Sequence, residues 1–405
     1  MQSGQRWPAL DSQKVVMVRY GELFLKSEPV KYHFIGLLLR NIGRALTAAG
    51  LPYRAETPRG RILLFGDEPE KIALVASRIF GVVDVSVCTV TGTDPEAMAA
   101  EAVRLAVPKL KAPMSFAVRA KRQNKVGMNS QELGAFVGSA IYDSIPGLVV
   151  DLTSPDYELF AEMRESGGFI YDTRIPAPGG LPWGTQGKVI GLLSSGIDSP
   201  VASWLCMKRG CEVTHLHLDG GRWAGPDVRE AAIENHRRLS LWCPGYPMHL
   251  IIADSEPLYD AMQQHRIQPR YRCVICKRFM LKVSAGLLAQ EHAHAIVTGE
   301  NLGQVASQTL PNLAVISEAV TAPVLRPLIT YDKSEIITIS RRIGTFDAHP
   351  GDLACRAVPK MPTTAATQDP VRESEEKIGI DELVSLAMGS VRYVVALNGE
   401  ITKDP

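Results

Sequence analysis

Apolar residues recur along this chain in two patterns, short β-rich runs and stripes of helical period, and their order divides it into parts. From Lys14 the order is strand, helix, strand, helix, strand. "KVVMVRYG" is β-rich, and "KYHFIGLLLRNIGRALTAAG" sets Ile35, Leu38, Leu39, Ile42, Leu46 and Ala49 on one helical stripe that stops at Gly50. "RILLFG" predicts a strand, "PEKIALVASRIFG" a helix and "VVDVSVCTVTG" a further strand. Two helices among short strands predict a ferredoxin-like α+β layer over residues 1–80.

A second unit follows over residues 81–173. "PEAMAAEAVRLAVPKL" is helical, "MSFAVRAKRQNK" is a strand entering a basic loop, and "NSQELGAFVGSAIYDSI" begins with an Asn129/Ser130 cap. "VVDLTSPDYELFAEM" predicts two strands broken at Pro155. Residues 174–187 are dense in Pro and Gly and predict a linker. From Lys188 to the end, over residues 188–405, apolar strands alternate with helices. That pattern predicts an α/β unit whose parallel sheet is covered by helices on both faces.

Composition adds limits. The chain has 405 residues, 45% hydrophobic and 21% charged, with formal net charge +1, which suits two or three domains. No run reaches the length of a membrane span, and the first residues lack a signal-peptide pattern. Seven cysteines, an odd number, argue against a secreted disulfide framework and for the cytoplasm.

Chemistry enters at "GLLSSGIDSP", residues 191–200. A strand runs into Ser194, Ser195, Gly196, Asp198 and Ser199, and Pro200 sits in the first turn of a helix. Small residues before a helix start let backbone N–H groups approach an anion. There is no Walker lysine here. An acid in its place points to a magnesium bridge or to pyrophosphate as leaving group. Read alone, the turn is as easily a plain strand-to-helix connection.

The stretch resembles the S-G-G-x-D-S loop of PP-loop ATP pyrophosphatases, with Ser195 where that family carries Gly. A strongly positive φ at Ser195 would weaken ATP binding. "MVRYGELFLKS", "TGENLGQVASQTLPNL" (298–313) and "VLRPLITYDKSEIITISRRIGTFD" (324–347) resemble the ThiI-type tRNA 4-thiouridine synthetases. "FAVRAKR" and "DLTSPDYEL" resemble a THUMP RNA-binding domain. The resemblance implies an ATP-dependent enzyme that places AMP on O4 of the uridine at position eight of tRNA and exchanges that oxygen for sulfur. It implies Asp198 and Lys333 as catalytic groups, Lys333 neutralising charge on the phosphates. It implies ATP contacts from Leu192, Leu193, Ser194, Ser195, Gly196, Ser199, His217, Leu218, Lys277, Gly299 and Gln308, with Mg2+.

"RYRCVICKRFM" holds Cys273 and Cys276 at helical i, i+3 spacing, so both thiols face one way. Cys355, in "GDLACRAVP", matches the catalytic cysteine of many such synthetases. Together with the absence of a C-terminal rhodanese domain, the three resemble the archaeal variants, which implies a [4Fe–4S] cluster on Cys273, Cys276 and Cys355. A Cys355 persulfide resolving to a disulfide, or a zinc ion on the three thiolates, remain open. Cys88, Cys206, Cys211 and Cys243 are expected to be small buried hydrophobes.

RNA contacts are expected from Arg119, Lys121, Arg122 and Lys125, with Lys26 and Lys31. Arg266, Arg270, Arg272 and Arg278 add charge beside the C-x-x-C. Implied partners are tRNA and a sulfur donor, sulfide or a cysteine desulfurase persulfide, with a homodimer left open. A tRNA-binding protein with an inactive loop, and a PP-loop thiolase for another nucleoside, are the competing functions.

Overall fold

The computed structural model describes residues 13–22, 27–123, 128–348, 355 and 357–403. It forms two compact units, one of Ala45–Gly179 with the residues up to Lys31, the other of Tyr32–Arg44 with Gly180 onward.

The strands of the first unit are β1 (Lys14–Tyr20), β2 (Arg54–Glu56), β3 (Ile62–Phe65), β4 (Val82–Thr91), β5 (Ser115–Arg122), β6 (Val149–Val150), β7 (Tyr157–Arg164), β8 (Gly167–Tyr171) and β9 (Ile175–Pro176). They make one sheet, ordered β2-β3-β1-β4-β8-β7-β5-β6 with β9 beside β4. The helices are α1 (Glu28–Ala48), whose middle belongs to the other unit, α2 (Pro69–Ala76), α3 (Pro95–Ala106) and α4 (Ser130–Ser144). Met98 and Ala102 of α3 and Leu133, Val137 and Ile141 of α4 pack on Phe116, Leu159, Ala161 and Ile170 of the sheet. α4 starts as its sequence predicts: Asn129 accepts from the N–H groups of Gln131 and Glu132, and Glu132 reaches back to the Asn129 N–H.

Two expectations shift. On α1 Leu38, Ile42 and Leu46 are buried where the periodicity placed them, but Phe34 and Ala45 join them while Ile35 and Leu39 are only half-buried, and Ala49 lies past the helix end and is exposed. The Pro/Gly stretch is more structured than a linker, because Ile175 and Pro176 pair with β4. Further along it, Trp183 is buried and its carbonyl accepts from Asn41 Nδ2 at 3.0 Å.

The second unit is built on β10 (Lys188–Leu192), β11 (Glu212–Asp219), β12 (Met248–Asp254), β13 (Ala293–Val297), β14 (Val324–Leu325), β15 (Arg392–Leu397) and β16 (Glu400–Lys403). Its helices are α5 (Asp198–Lys208), α6 (Pro226–Ser240), α7 (Glu256–Gln264), α8 (Arg272–Leu287), α9 (Leu310–Ser317), α10 (Lys333–Ile343), α11 (Gln368–Ile378) and α12 (Ile380–Gly389). The sheet order is β14-β13-β10-β11-β12-β15-β16. The first five are parallel, while β15 and β16 add antiparallel strands that the sequence pattern did not announce. The chain steps from β10 to β11 to β12 in one direction and then returns to the far side of β10 for β13. Loops leaving β10 and β13 therefore diverge, and a crevice opens at the carboxyl ends of these strands, where ligands bind in open α/β sheets.

Arg278 corrects the expectation for the arginine-rich helix. It is buried on α8 and forms a bidentate pair with Glu375 of α11, at 2.7 and 2.8 Å. A desolvated, paired guanidinium holds helices together and is not available to an RNA backbone.

Candidate functional site

A cavity of about 490 Å³ occupies this crevice. Its wall brings together Leu192, Leu193, Ser194, Ser195, Gly196, Asp198, Ser199, His217, Leu218, Lys277, Gly299 and Gln308, so every residue expected to contact ATP lies on one surface. Cys273, Cys276 and Cys355 line the same surface.

The loop after β10 is held from within and from behind. The Ser194 N–H donates to Ser199 Oγ at 2.9 Å, and the Gly196 N–H to Ser194 Oγ at 3.2 Å. Behind it, His217 Nδ1 donates to the Leu193 carbonyl at 2.9 Å, and Asn235 Nδ2 to the Ser194 carbonyl at 3.0 Å. Among the described residues other than glycine only Arg266, His292 and Asn398 have positive φ. Ser195 is thus outside the left-handed region, and the loop's conformation does not require a glycine there.

Gly299 has a different task from its neighbours. A Cβ there would stand 2.8 Å from Ser199 Cα and 2.8 Å from Ser199 N. Only glycine lets the segment after β13 lie this close to the backbone at the start of α5.

Asp198, the first residue of α5, is engaged at both oxygens. Lys333 Nζ stands 2.7 Å from Oδ1, and Gln304 Nε2 donates to Oδ2 at 3.1 Å. Lys333 opens α10, where a cation is disfavoured by the helix dipole. Asp332 caps that turn through Glu335, and Asp198 supplies the compensating charge. The Lys277 ammonium is 2.9 Å from Glu300 Oε1, while Arg326 Nε donates to Oε2 at 2.6 Å. Burial would raise the Glu300 carboxyl, but Lys277 and Arg326 hold it below its ordinary range. Two cations around one buried carboxylate leave this wall net positive, which suits a triphosphate.

Cys273 and Cys276 sit in the first turns of α8 and are half-buried, whereas Cys355 is exposed. Burial pushes the Cys276 thiol up to about 12, and the nearby Cys355 and Cys273 add to the rise. Cys273 is raised by burial and by Cys355. Tyr259 OH lies 3.3 Å from Cys276 Sγ. Among the described residues no group of three His, Cys, Asp or Glu side chains is arranged to hold a single metal ion. The remaining cysteines, Cys88, Cys206, Cys211 and Cys243, are buried as expected.

A buried histidine pair lies behind the loop. His236 Nε2 donates to the Met248 carbonyl at 3.2 Å, so its Nδ1 accepts from His215 Nδ1 at 2.9 Å. Burial lowers His215 and His217, and takes His236 down to about 3. Burial favours the neutral form of all three in the folded state, so each binds protons more readily on unfolding, below the ordinary value of about 6.5. The unfolded state then binds more protons, so stability falls as pH drops from about 6.5, by up to about 1.4 kcal/mol per pH unit for each histidine. Thermal unfolding is expected to move to lower temperature between pH 7 and 5, before most carboxylates titrate. An unchanged midpoint across that window would contradict the buried neutral pair.

The expected RNA contacts lie in the first unit. Arg119 pairs with Glu158 at 2.9 Å and donates to the Leu152 carbonyl. Lys121 is exposed, and the Arg122 guanidinium donates to the Met128 carbonyl. Lys121 and Arg122 line a smaller cavity of about 210 Å³ with Ser130, Glu162, Met163 and Arg164. Lys31 pairs with Glu28, and Lys125 and Lys26 lie outside the described residues. Sequence reasoning missed Asn235, Gln304, Glu300 and Arg326. Glu300, Gln304 and Arg326 lie inside the motifs "TGENLGQVASQTLPNL" and "VLRPLITYDKSEIITISRRIGTFD", which was the signal available for them; Asn235 had none.

No described helix is long and apolar enough to cross a membrane. Three family models match the chain: a ThiI ferredoxin-like domain over residues 15–86, a THUMP domain over 92–172, and the thiamine biosynthesis protein ThiI over 184–380. A "probable tRNA sulfurtransferase" of Methanosarcina acetivorans is 37% identical over 94% of this chain and 93% of its own length. One of Moorella thermoacetica is 39% identical over 91% of this chain and 94% of its own length. Among solved structures, a 4-thiouridine synthetase in complex with RNA and bound ATP superposes with TM-score 0.82 at 31% identity, covering 95% of this chain and all of that one.

Proposed function

This chain belongs to the ThiI family of tRNA sulfurtransferases, and on that premise we propose that it adenylates O4 of the uridine at position eight of tRNA and replaces that oxygen with sulfur. The observation that carries the reading is the single cavity that holds both the phosphate loop and the three thiols. A phosphate loop alone would serve any ATP pyrophosphatase. Thiols within the same walls add a sulfur route.

In the first half-reaction uracil O4 attacks the α-phosphorus of ATP, and pyrophosphate leaves with the bonding electrons. The small-residue loop lets the backbone approach the phosphates, and Lys333 and Lys277 neutralise charge that grows on the departing pyrophosphate. Magnesium would arrive with the nucleotide and take a carboxylate oxygen of Asp198, an arrangement suited to an ion that keeps most of its ligands from phosphate and water. In the second half-reaction sulfur adds at C4, and AMP departs carrying the former O4.

Cys273, Cys276 and Cys355 are the residues to hold an iron–sulfur cluster. Ligands on a cluster attach to separate iron atoms and need not converge on one point, so three thiols spread around one cavity suit it better than they suit a zinc ion. Such a cluster, when bound, supplies an open iron able to carry sulfide. α8 presents Cys273 and Cys276 at i, i+3 spacing on one face, and because burial holds both thiols protonated on their own, binding of a metal centre is what would draw off their protons. A Cys355 persulfide is the second reading, favoured by the exposure of that thiol to a donor. The RNA is proposed to run over Lys121 and Arg122 of the first unit.

The test is an assay of the anaerobically purified chain with unmodified tRNA, ATP and sulfide, read by nucleoside mass spectrometry. It should yield 4-thiouridine, together with pyrophosphate released only when tRNA is present. Pyrophosphate without 4-thiouridine would reassign the substrate. Neither product would leave a tRNA-binding protein.

A further inference from the structure

We propose that Asn235 is a positioning residue for the phosphate loop: fixed on α6, its amide turns the Ser194–Ser195 peptide so that the Ser195 N–H faces the bound phosphate. The inference rests on the nucleotide reading above and deepens it.

Asn235 is fully buried, and its Nδ2 donates to the Ser194 carbonyl at 3.0 Å. A trans peptide is planar, with its C=O and N–H pointing in opposite directions. A carbonyl pulled back toward α6 therefore sends the Ser195 N–H the other way. The preceding carbonyl, that of Leu193, is drawn back in the same manner by His217, at 2.9 Å. The neighbouring amides have other work, since Ser194 N–H is bonded to Ser199 Oγ and Gly196 N–H to Ser194 Oγ. The Ser195 N–H has no partner among the described residues, although Ser195 is buried and lines the cavity. Buried backbone donors are nearly always paired, and a phosphate oxygen is the acceptor this cavity would receive.

The position also explains why Ser195 serves in place of glycine. With the peptide direction set from α6, the residue needs no left-handed φ to aim its N–H.

Asn235→Asp keeps the shape but removes the donor and sets an oxygen against the Ser194 carbonyl. In equilibrium dialysis of the full chain, this variant should bind ATP and pyrophosphate at least about tenfold more weakly, the effect of losing one well-placed hydrogen bond to a charged group. Adenosine, which has no phosphate, should bind within about twofold of wild type. A variant that binds ATP normally, or that loses adenosine equally, overturns the proposal. A second measurement needs no variant: hydrogen exchange at the Ser195 amide of the wild type should slow with pyrophosphate and not with adenosine, and equal exchange in both would overturn the proposal. A wild type that binds neither ATP nor pyrophosphate would instead remove the nucleotide reading on which this stands.

Discussion

Lys333→Met should lower tRNA-dependent pyrophosphate release by about a thousandfold, the scale expected when one preorganised charge is lost from a developing anion. The ammonium lies 2.7 Å from Asp198 at the mouth of the phosphate loop. In the resting enzyme that pair is an ion pair at a part-exposed position and adds little stability. Its value comes when the pyrophosphate charge develops beside it. The fold should survive, because α10 keeps its Asp332–Glu335 cap and its buried Ile336, Ser340 and Ile343. Lys333→Arg should not restore the rate, since a planar fork cannot occupy the position of a compact ammonium. Pyrophosphate release measured by coupled assay decides the matter; a variant retaining a tenth of the wild-type rate would place the charge stabilisation elsewhere.

Cys276→Ala should separate the two half-reactions. Formation of 4-thiouridine should fall by at least about a thousandfold, because the proposed cluster would lose one of its three thiol ligands. Pyrophosphate release should stay within about threefold, because the phosphate loop is held by Asn235, His217 and Ser199, none of which touches α8 in the bonds described. Iron bound after anaerobic reconstitution should drop in parallel with sulfur transfer. Full iron with no transfer would favour the persulfide reading, and unimpaired 4-thiouridine formation would remove Cys276 from the chemistry.

Local signals carried the reading of the sequence a long way. β10, the loop and the start of α5 are contiguous in the chain, so small residues between an apolar run and a helix marked this turn in the sequence as a candidate phosphate loop. The Asn129 cap and the i, i+3 thiols of α8 were legible for the same reason. What escaped was set by partners distant in sequence. Arg278 reads as one more cation in a basic helix until Glu375 folds against it. Asn235 lies 41 residues from Ser194 with no local mark, and Gln304, though inside a quoted motif, lies 106 residues from Asp198, so its partner was not legible. β15 and β16 follow α12 as a short antiparallel pair at the edge of a sheet that is otherwise parallel, and nothing in the preceding alternation of strands and helices foretells them. Ser195 shows the converse. A departure from a family pattern looked like a defect, and the backbone geometry shows it is tolerated.

The oxygen that leaves uracil tests the account most directly. With tRNA carrying ¹⁸O at O4 of the uridine at position eight, a single turnover with ATP and sulfide should transfer the label to AMP, one atom for each 4-thiouridine formed. AMP free of label, with the ¹⁸O released as water, would mean that no adenylate forms on the base, and the proposed chemistry would be contradicted.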